Sequence, residues 1–467
     1  MTAQGWITAT LCSVLSLSVL SGCHQPPYPN RDPLCARDLE SGYRFDTLEP
    51  GPGNTDHNFI CLTFSGGGTR AAAMSYGVLQ ALRDARVDSA RQGSTRLLDE
   101  VDVISSVSGG SFTALSYAMQ RDEFFNGRFK ETFLYRNIQL HLLLNVFNPL
   151  NLLRLSSVML DRIDIAADYY SEALFNEQTY GDLMKTNRRP YIVVNSTNMS
   201  TGGRLEFTQS DFDLLGSDLA AVPLGWAAAA SSAFPFLLSP MRLKYHVNDA
   251  SAQTIDALLD ERGERKFHRR AEWAERLVQS EKPGEPPLDN VNATAHKYLY
   301  LLDGGLSDNL GLSHVLDSYL YEEINQRIDD RRIKRLVVIV VDAGTEPPEN
   351  LESRRSAPGL FIVGYKTATI SMENHSDALV ARLHDLMSDR CAGSPQADTS
   401  ESDRVALYLI HLSFHGVDDF DRRRRLLSLP TSFALPDDDV DELIELGGEL
   451  LRDNADYQRL LDDLGAE

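Results

Sequence analysis

Three short stretches of this chain carry residue types that could perform chemistry together. The first is Ser106-Val107-Ser108-Gly109-Gly110, which follows an apolar run of strand length and precedes a helix-like stretch. A nucleophilic serine must project from a sharp strand-to-helix turn, and such a turn needs small residues on both sides. Gly110 fits that need, while Ser106 stands where a glycine is usual. Ser106 as nucleophile would leave Ser108 at the glycine position, so Ser108 is the candidate. The second stretch is Ser65-Gly66-Gly67-Gly68-Thr69-Arg70. Glycines between a strand and a helix free several backbone N–H groups to converge on one spot, with the positive helix end behind them. Such donors suit the negative oxygen of a tetrahedral intermediate, and losing them costs about a hundred- to a thousandfold in rate. A phosphate loop is the competing reading, but no Gly-Lys-Ser/Thr follows and the dinucleotide-type glycine spacing is absent. The third stretch, Leu301-Leu302-Asp303-Gly304-Gly305-Leu306-Ser307-Asp308-Asn309, sets a carboxylate at a turn. Standing alone, it would be an ordinary turn.

The elements around these stretches alternate between strand and helix. Phe59–Phe64, Val101–Ser106, Tyr191–Asn195 and Arg335–Val341 are apolar runs of strand length. Thr69–Ala85 repeats apolar residues at helical spacing through Ala72, Met74, Val78, Leu79 and Leu82, and Ser111–Gln120 is a second helix candidate. This alternation predicts an α/β domain with a mostly parallel central sheet. Two segments interrupt it. Residues 124–184 read as mostly helical, with a strongly apolar centre at Leu142–Leu150 that suits either core or a lipid-facing cap. Residues 247–297 are highly charged and read as a solvated insertion, and 389–403 as a flexible loop.

Composition narrows the partners. The 467 residues hold 45 Lys+Arg against 67 Asp+Glu, a formal charge of -22, with 42% apolar residues. That content supports a sizeable core. Nucleic acid is excluded as a partner because its phosphates would be repelled. Strong attraction to anionic lipid is excluded for the same reason, so a membrane role needs a local apolar surface or a covalent anchor. The run Arg422–Arg425 reads as a solvated face. An anchor is legible at the start: Ile7–Leu20 is uncharged and apolar, of signal-peptide length, and ends in Leu20-Ser21-Gly22-Cys23. The small residues before Cys23 resemble a bacterial lipobox, although Met1–Trp6 lacks the usual Lys or Arg. Residues 1–22 are thus expected to be a signal peptide, Cys23 a lipidated residue on an extracytoplasmic membrane face, 23–55 a tether, and 56–467 one domain. Cys61 lies in an apolar run and reads as core, and a Cys35–Cys391 disulfide is permitted outside the cytoplasm.

The three stretches, in this order, resemble the patatin-like phospholipases, a family that pairs a glycine-rich oxyanion loop with a serine elbow and an Asp-Gly-Gly or Asp-Gly-Ala aspartate. Two further stretches look alike: Asn195-Ser196-Thr197-Asn198 with Thr201-Gly202, and Ala229-Ala230-Ser231-Ser232-Ala233-Phe234-Pro235 with Pro240. The resemblance covers roughly residues 59–312. It implies a three-layer α/β/α sandwich and a Ser108–Asp303 dyad that works without histidine. It implies an oxyanion hole from Gly66, Gly67 and Gly68, with Arg70 on the arginine that follows. Arg70 suits headgroup phosphate or structural pairing equally. The substrate class would be a lipid or other ester, and the chemistry requires no cofactor and no metal. A Ser-His-Asp triad is the rival enzyme, with His314, His375, His384, His411 and His415 all downstream of Asp303. A catalytically silent surface lipoprotein is the rival outside enzymology.

Overall fold

A computed structural model describes residues 29–465, apart from 37, 39, 52, 56, 90–92, 147–160, 236, 247, 261–268, 279–296, 347–358 and 393–404. The signal-like segment, Cys23, residues 147–150 and most of the 389–403 loop therefore lie outside the described residues. The strands are β1 (Asn58–Phe64), β2 (Arg86–Ser89), β3 (Gly93–Arg96), β4 (Val101–Val107), β5 (Tyr191–Asn198), β6 (Arg204–Glu206), β7 (Met241–Lys244), β8 (Tyr298–Asp303), β9 (Arg335–Asp342) and β10 (Ala406–Ser413). β2 and β3 form a separate hairpin. The other strands make one sheet in the order β10-β9-β1-β4-β5-β8-β7, with β6 also on β5. From β10 to β5 every pairing is parallel, whereas β6, β7 and β8 pair antiparallel.

Every residue of β1, β4 and β5 is buried, so both faces of the central sheet are covered, as their unbroken apolar character requires. The α/β fold expected from the sequence, with a mostly parallel sheet flanked by helices, is the fold found. Helices α1 (Thr69–Asp84) and α2 (Gly109–Gln120) start where β1 and β4 end, within a residue or two of the expected bounds. Both therefore begin at the carboxyl edge of the parallel strands, the side on which open α/β sheets carry their sites.

The pairing around β5 decides where the chemistry can sit. β4 and β6 both pair with Asn195, so they lie on opposite edges of β5. β6 and β8 both pair with Ser196, so they too lie on opposite edges. β4 and β8 consequently share one edge, and because β8 is antiparallel their C-terminal ends meet head to head. Val107 stands opposite Asn195, and Asp303 stands opposite Ser196.

Two expectations need correction. The tether expected over 23–55 is not free over its described part. Tyr43, Phe45 and Leu48 are core residues, and the Tyr43 hydroxyl accepts the Ile192 N–H at 2.8 Å. Aromatic residues scattered in a Pro- and Gly-rich stretch hid this packing. The charged 247–297 segment contains two helices, Asp249–Asp260 and Arg269–Val278. Its charge is partly internal, since Arg269 pairs with Glu206 at 2.8 Å and Asp211 at 2.6 Å while Ala271, Ala274 and Leu277 are buried. Cys61 is buried as expected, and Cys35 is an exposed free thiol.

Candidate active site

Ser108 is the pivot between β4 and α2. Its φ is +48° and its ψ -118°, a conformation that L-residues rarely adopt. Such strain persists only where the surroundings enforce it, and it is the expected signature of a serine thrust out of an elbow. Ser106 fills the usual glycine position without disturbing the turn. It is fully buried, and its hydroxyl donates to the Val193 carbonyl of β5 at 3.1 Å. The Asn195 amide group of the same strand donates to the Ser106 carbonyl at 3.0 Å.

Asp303 sits at the end of β8, and the Ser108 hydroxyl lies close enough to its carboxyl group to favour the charged form. The Gly305 N–H donates a hydrogen bond to Oδ1 at 2.8 Å. The backbone is fixed as well: the Asp303 N–H donates to Ala233 O at 2.9 Å, and the Asp303 carbonyl accepts from Thr197 Oγ1 at 2.7 Å. Gly304 has to be glycine, because a Cβ there would stand 2.2 Å from the Asn195 carbonyl oxygen. Ser108 is 7% exposed and Asp303 4%. Burial pushes the Asp303 pKa up to about 7 against the opposing pull of the Gly305 hydrogen bond and the nearby Ser108 hydroxyl. A carboxylate so placed is a far better proton acceptor at neutral pH than an exposed aspartate.

Ser108, Asp303 and Gly66–Gly68 line one cavity of about 850 Å³. Its walls are largely apolar, including Ile165, Tyr170, Leu238, Met372 and Phe433. Leu140, Leu143 and Leu237 line it too, yet are 48%, 53% and 56% exposed, which puts them at its mouth. Leu140 and Leu143 belong to α3 (Ile138–Val146), the described part of the apolar segment. Leu142 is half-buried against the core, while Leu143 and Leu144 are exposed.

Within the glycine loop the amides differ. The Gly66 N–H donates to Asn309 O at 2.9 Å and so holds the loop against the turn after Asp303. Gly67 and Gly68 adopt φ values of +139° and +62° on the way into α1. Arg70 lines the same cavity, with its guanidinium engaged by neighbouring segments of the chain. The side chain is buried and donates from Nε to Ala343 O at 2.7 Å, from Nη1 to Leu429 O at 2.9 Å and from Nη2 to Thr431 Oγ1 at 3.2 Å. Of the two roles open in the sequence, structural pairing is the one observed. Arg70 ties the loop to chain segments about 270 and 360 residues downstream.

Residues 62–316 match the patatin-like phospholipase family. The chain belongs to that family. The family region carries Ser108, Asp303 and the glycine loop, while Met372 and Phe433 extend the cavity wall into sequence beyond it. Among solved structures the chain is similar to human GIVD cytosolic phospholipase A2, with TM-score 0.44, 13% identity, and coverage of 88% of this chain and 60% of that one. It is also similar to that enzyme in complex with methyl gamma-linolenyl fluorophosphonate inhibitor and terbium chloride (TM-score 0.41, 14% identity, 88% and 59% coverage). A third likeness is VipD from Legionella pneumophila (TM-score 0.33, 12% identity, 92% and 71% coverage). The chain thus spans about 60% of the length of the human phospholipase. A search of curated proteins gave no match.

No histidine is among the described residues that line the cavity. His314 is buried against Glu206 at 3.1 Å, and His411 lies 3.3 Å from Asp342. Two residues of the arginine run are engaged elsewhere: Arg422 pairs with Glu449 at 2.8 Å and Arg425 with Asp439 at 2.8 Å, both on the helix Asp437–Asp453.

Proposed function

We propose that this protein is a serine acyl hydrolase of lipid esters, phospholipase A-like in its chemistry, and that Ser108 and Asp303 form its catalytic dyad. The observation that carries the reading is the strained Ser108 beside a buried Asp303, both lining a large apolar cavity. Asp303 takes the hydroxyl proton as Ser108 Oγ attacks the ester carbonyl, and returns it to the leaving alcohol when the acyl-enzyme forms. Water then attacks the acyl-enzyme and gives its proton to Asp303, which passes it to Ser108 Oγ as the acyl–Oγ bond breaks and the fatty acid leaves. The amides of Gly67 and Gly68 are the proposed donors to the developing oxyanion, with Gly66 serving to seat the loop.

The apolar walls suit an acyl chain, and the exposed leucines at the mouth support work at a lipid surface. We also propose that Cys23 carries a lipid anchor that keeps the enzyme on an extracytoplasmic membrane face. A body of charge -22 would not adhere to anionic bilayers by itself. A panel of phospholipids, neutral glycerides and simple esters, run with wild type, Ser108→Ala and Asp303→Asn, tests the reading. Release of fatty acid by wild type alone supports it. Hydrolysis by Ser108→Ala at the wild-type rate refutes it.

A further inference from the structure

A third residue bonds to Ser108 and to the turn after Asp303 through different atoms. Ser231 is the last residue of the helix Leu224–Ser231 and is fully buried. The closing carbonyls of a helix have no partner within it and must find one elsewhere. Here the Ser231 carbonyl accepts the Gly304 N–H at 3.0 Å, and the Ala233 carbonyl just beyond accepts the Asp303 N–H at 2.9 Å. The end of this helix therefore seats the aspartate turn.

The Ser231 side chain serves the other half. A hydroxyl has one hydrogen to give and two lone pairs to fill. Its hydrogen goes to the Asn195 carbonyl at 2.6 Å, since a carbonyl can only accept. One lone pair takes the Ser108 N–H at 2.8 Å. The other takes the Ser111 hydroxyl at 3.1 Å, because Ser231 has no second hydrogen to offer. All three positions are filled. The bond to Ser108 matters most, because at φ +48° the elbow residue departs from both sheet and helix geometry and its buried N–H depends on this side chain.

We propose that Ser231 is a positioning residue that holds the dyad in reacting geometry, its hydroxyl fixing the elbow at Ser108 and its carbonyl fixing the turn after Asp303. The proposal rests on the Ser108–Asp303 reading. Ser231 does not touch substrate. It sets the direction of the Ser108 hydroxyl toward the carboxylate, and a displacement of about 1 Å at a reacting group typically costs on the order of a hundredfold.

Ser231→Ala separates the two functions, since it deletes the hydroxyl and keeps the carbonyl bond to Gly304. We expect kcat to fall about ten- to a hundredfold with KM within about twofold of wild type. The acid limb of the kcat profile should move to higher pH, because the Ser108 hydroxyl, which favours the Asp303 carboxylate, is displaced from it. A residue that served only the folding of the domain would lower the amount of native enzyme without moving that limb. Labelling by a long-chain fluorophosphonate, counted per folded molecule, should slow in parallel. If Ser231→Ala does not fold, Ser231→Cys takes its place, nearly the same size but with a weakly accepting sulfur, and should lose about tenfold in kcat. A folded variant with kcat within twofold of wild type and an unmoved acid limb overturns the proposal. Ser108→Ala distinguishes the failures: if it is inactive while Ser231→Ala is normal, only the positioning role falls. If Ser108→Ala is active, the dyad itself falls.

Discussion

Asp303→Asn should remove activity and at the same time stabilise the fold, and the size of the second effect follows from burial. In the folded chain the carboxyl group is pushed up to about 7, against an ordinary value of 3.8, because little solvent reaches it. The folded state thus holds its proton more tightly than the unfolded state between those two values. Stability contributed by this group is fully present below the unfolded value and is lost as pH rises through the folded one. Above pH 7 the loss approaches roughly 4 kcal/mol, an upper bound because neighbouring groups relax around a buried charge. Asparagine keeps an oxygen for the Gly305 N–H and carries no charge to bury, so the variant escapes most of this loss. Urea titrations of both proteins from pH 5 to pH 9 test it. The curves should draw together toward pH 5, and the variant should lead by about 2–4 kcal/mol at pH 8. A variant no more stable than wild type at pH 8 would mean that Asp303 is solvated enough to have an ordinary pKa. The argument for its service as a base at neutral pH would then fail.

Other outcomes follow from the same geometry. Wild-type kcat should rise with pH through about 7 as Asp303 loses its proton, and a limb centred near pH 4 would contradict the burial argument. Gly67→Ala should depress kcat by about a hundredfold or more, since a Cβ at its φ of +139° would stand 2.9 Å from the Arg70 guanidinium and disturb the loop amides. Preserved kcat with weakened KM would make the loop a substrate platform. Ser106→Gly should keep activity within a few fold while lowering stability by about 1–2 kcal/mol in denaturant titration, through loss of its bond to Val193 and added backbone freedom. Cys23→Ser should move active enzyme from the membrane to the soluble fraction or stall its processing. Identical fractionation, with no lipid on Cys23 by mass spectrometry, would remove the anchor.

Four strands of the sheet, the first helices and the serine turn at Ser108 were legible in the sequence because their signals are local. Phe59–Phe64 breaking into glycines, and Val101–Ser106 breaking into Ser108-Gly109-Gly110, announce strand-to-helix turns by themselves. Asp303 was legible only through family resemblance, because its approach to Ser108 depends on β8 pairing along the same edge of β5 beyond the point where β4 ends. No period in the sequence reports such a pairing. Arg70 was ambiguous for a related reason: its partners Ala343, Leu429 and Thr431 lie far downstream, and two of them accept through backbone carbonyls that carry no sequence signature. Ser231 stood in a stretch already marked as family-like, but a hydroxyl that saturates its hydrogen bonds inside a fold looks in sequence like any other serine. Tyr43 and Phe45 were masked by the prolines and glycines around them, although their size alone argued for burial.

The most direct test of the account is the site and rate of covalent capture by a long-chain alkyl fluorophosphonate. Intact mass spectrometry with peptide mapping should find one adduct per chain, on Ser108, formed faster as pH rises through about 7. The adduct should be absent in Ser108→Ala and strongly slowed in Asp303→Asn. Labelling of another serine, or equally fast labelling of Ser108 when Asp303 is asparagine, would contradict the Ser108–Asp303 dyad.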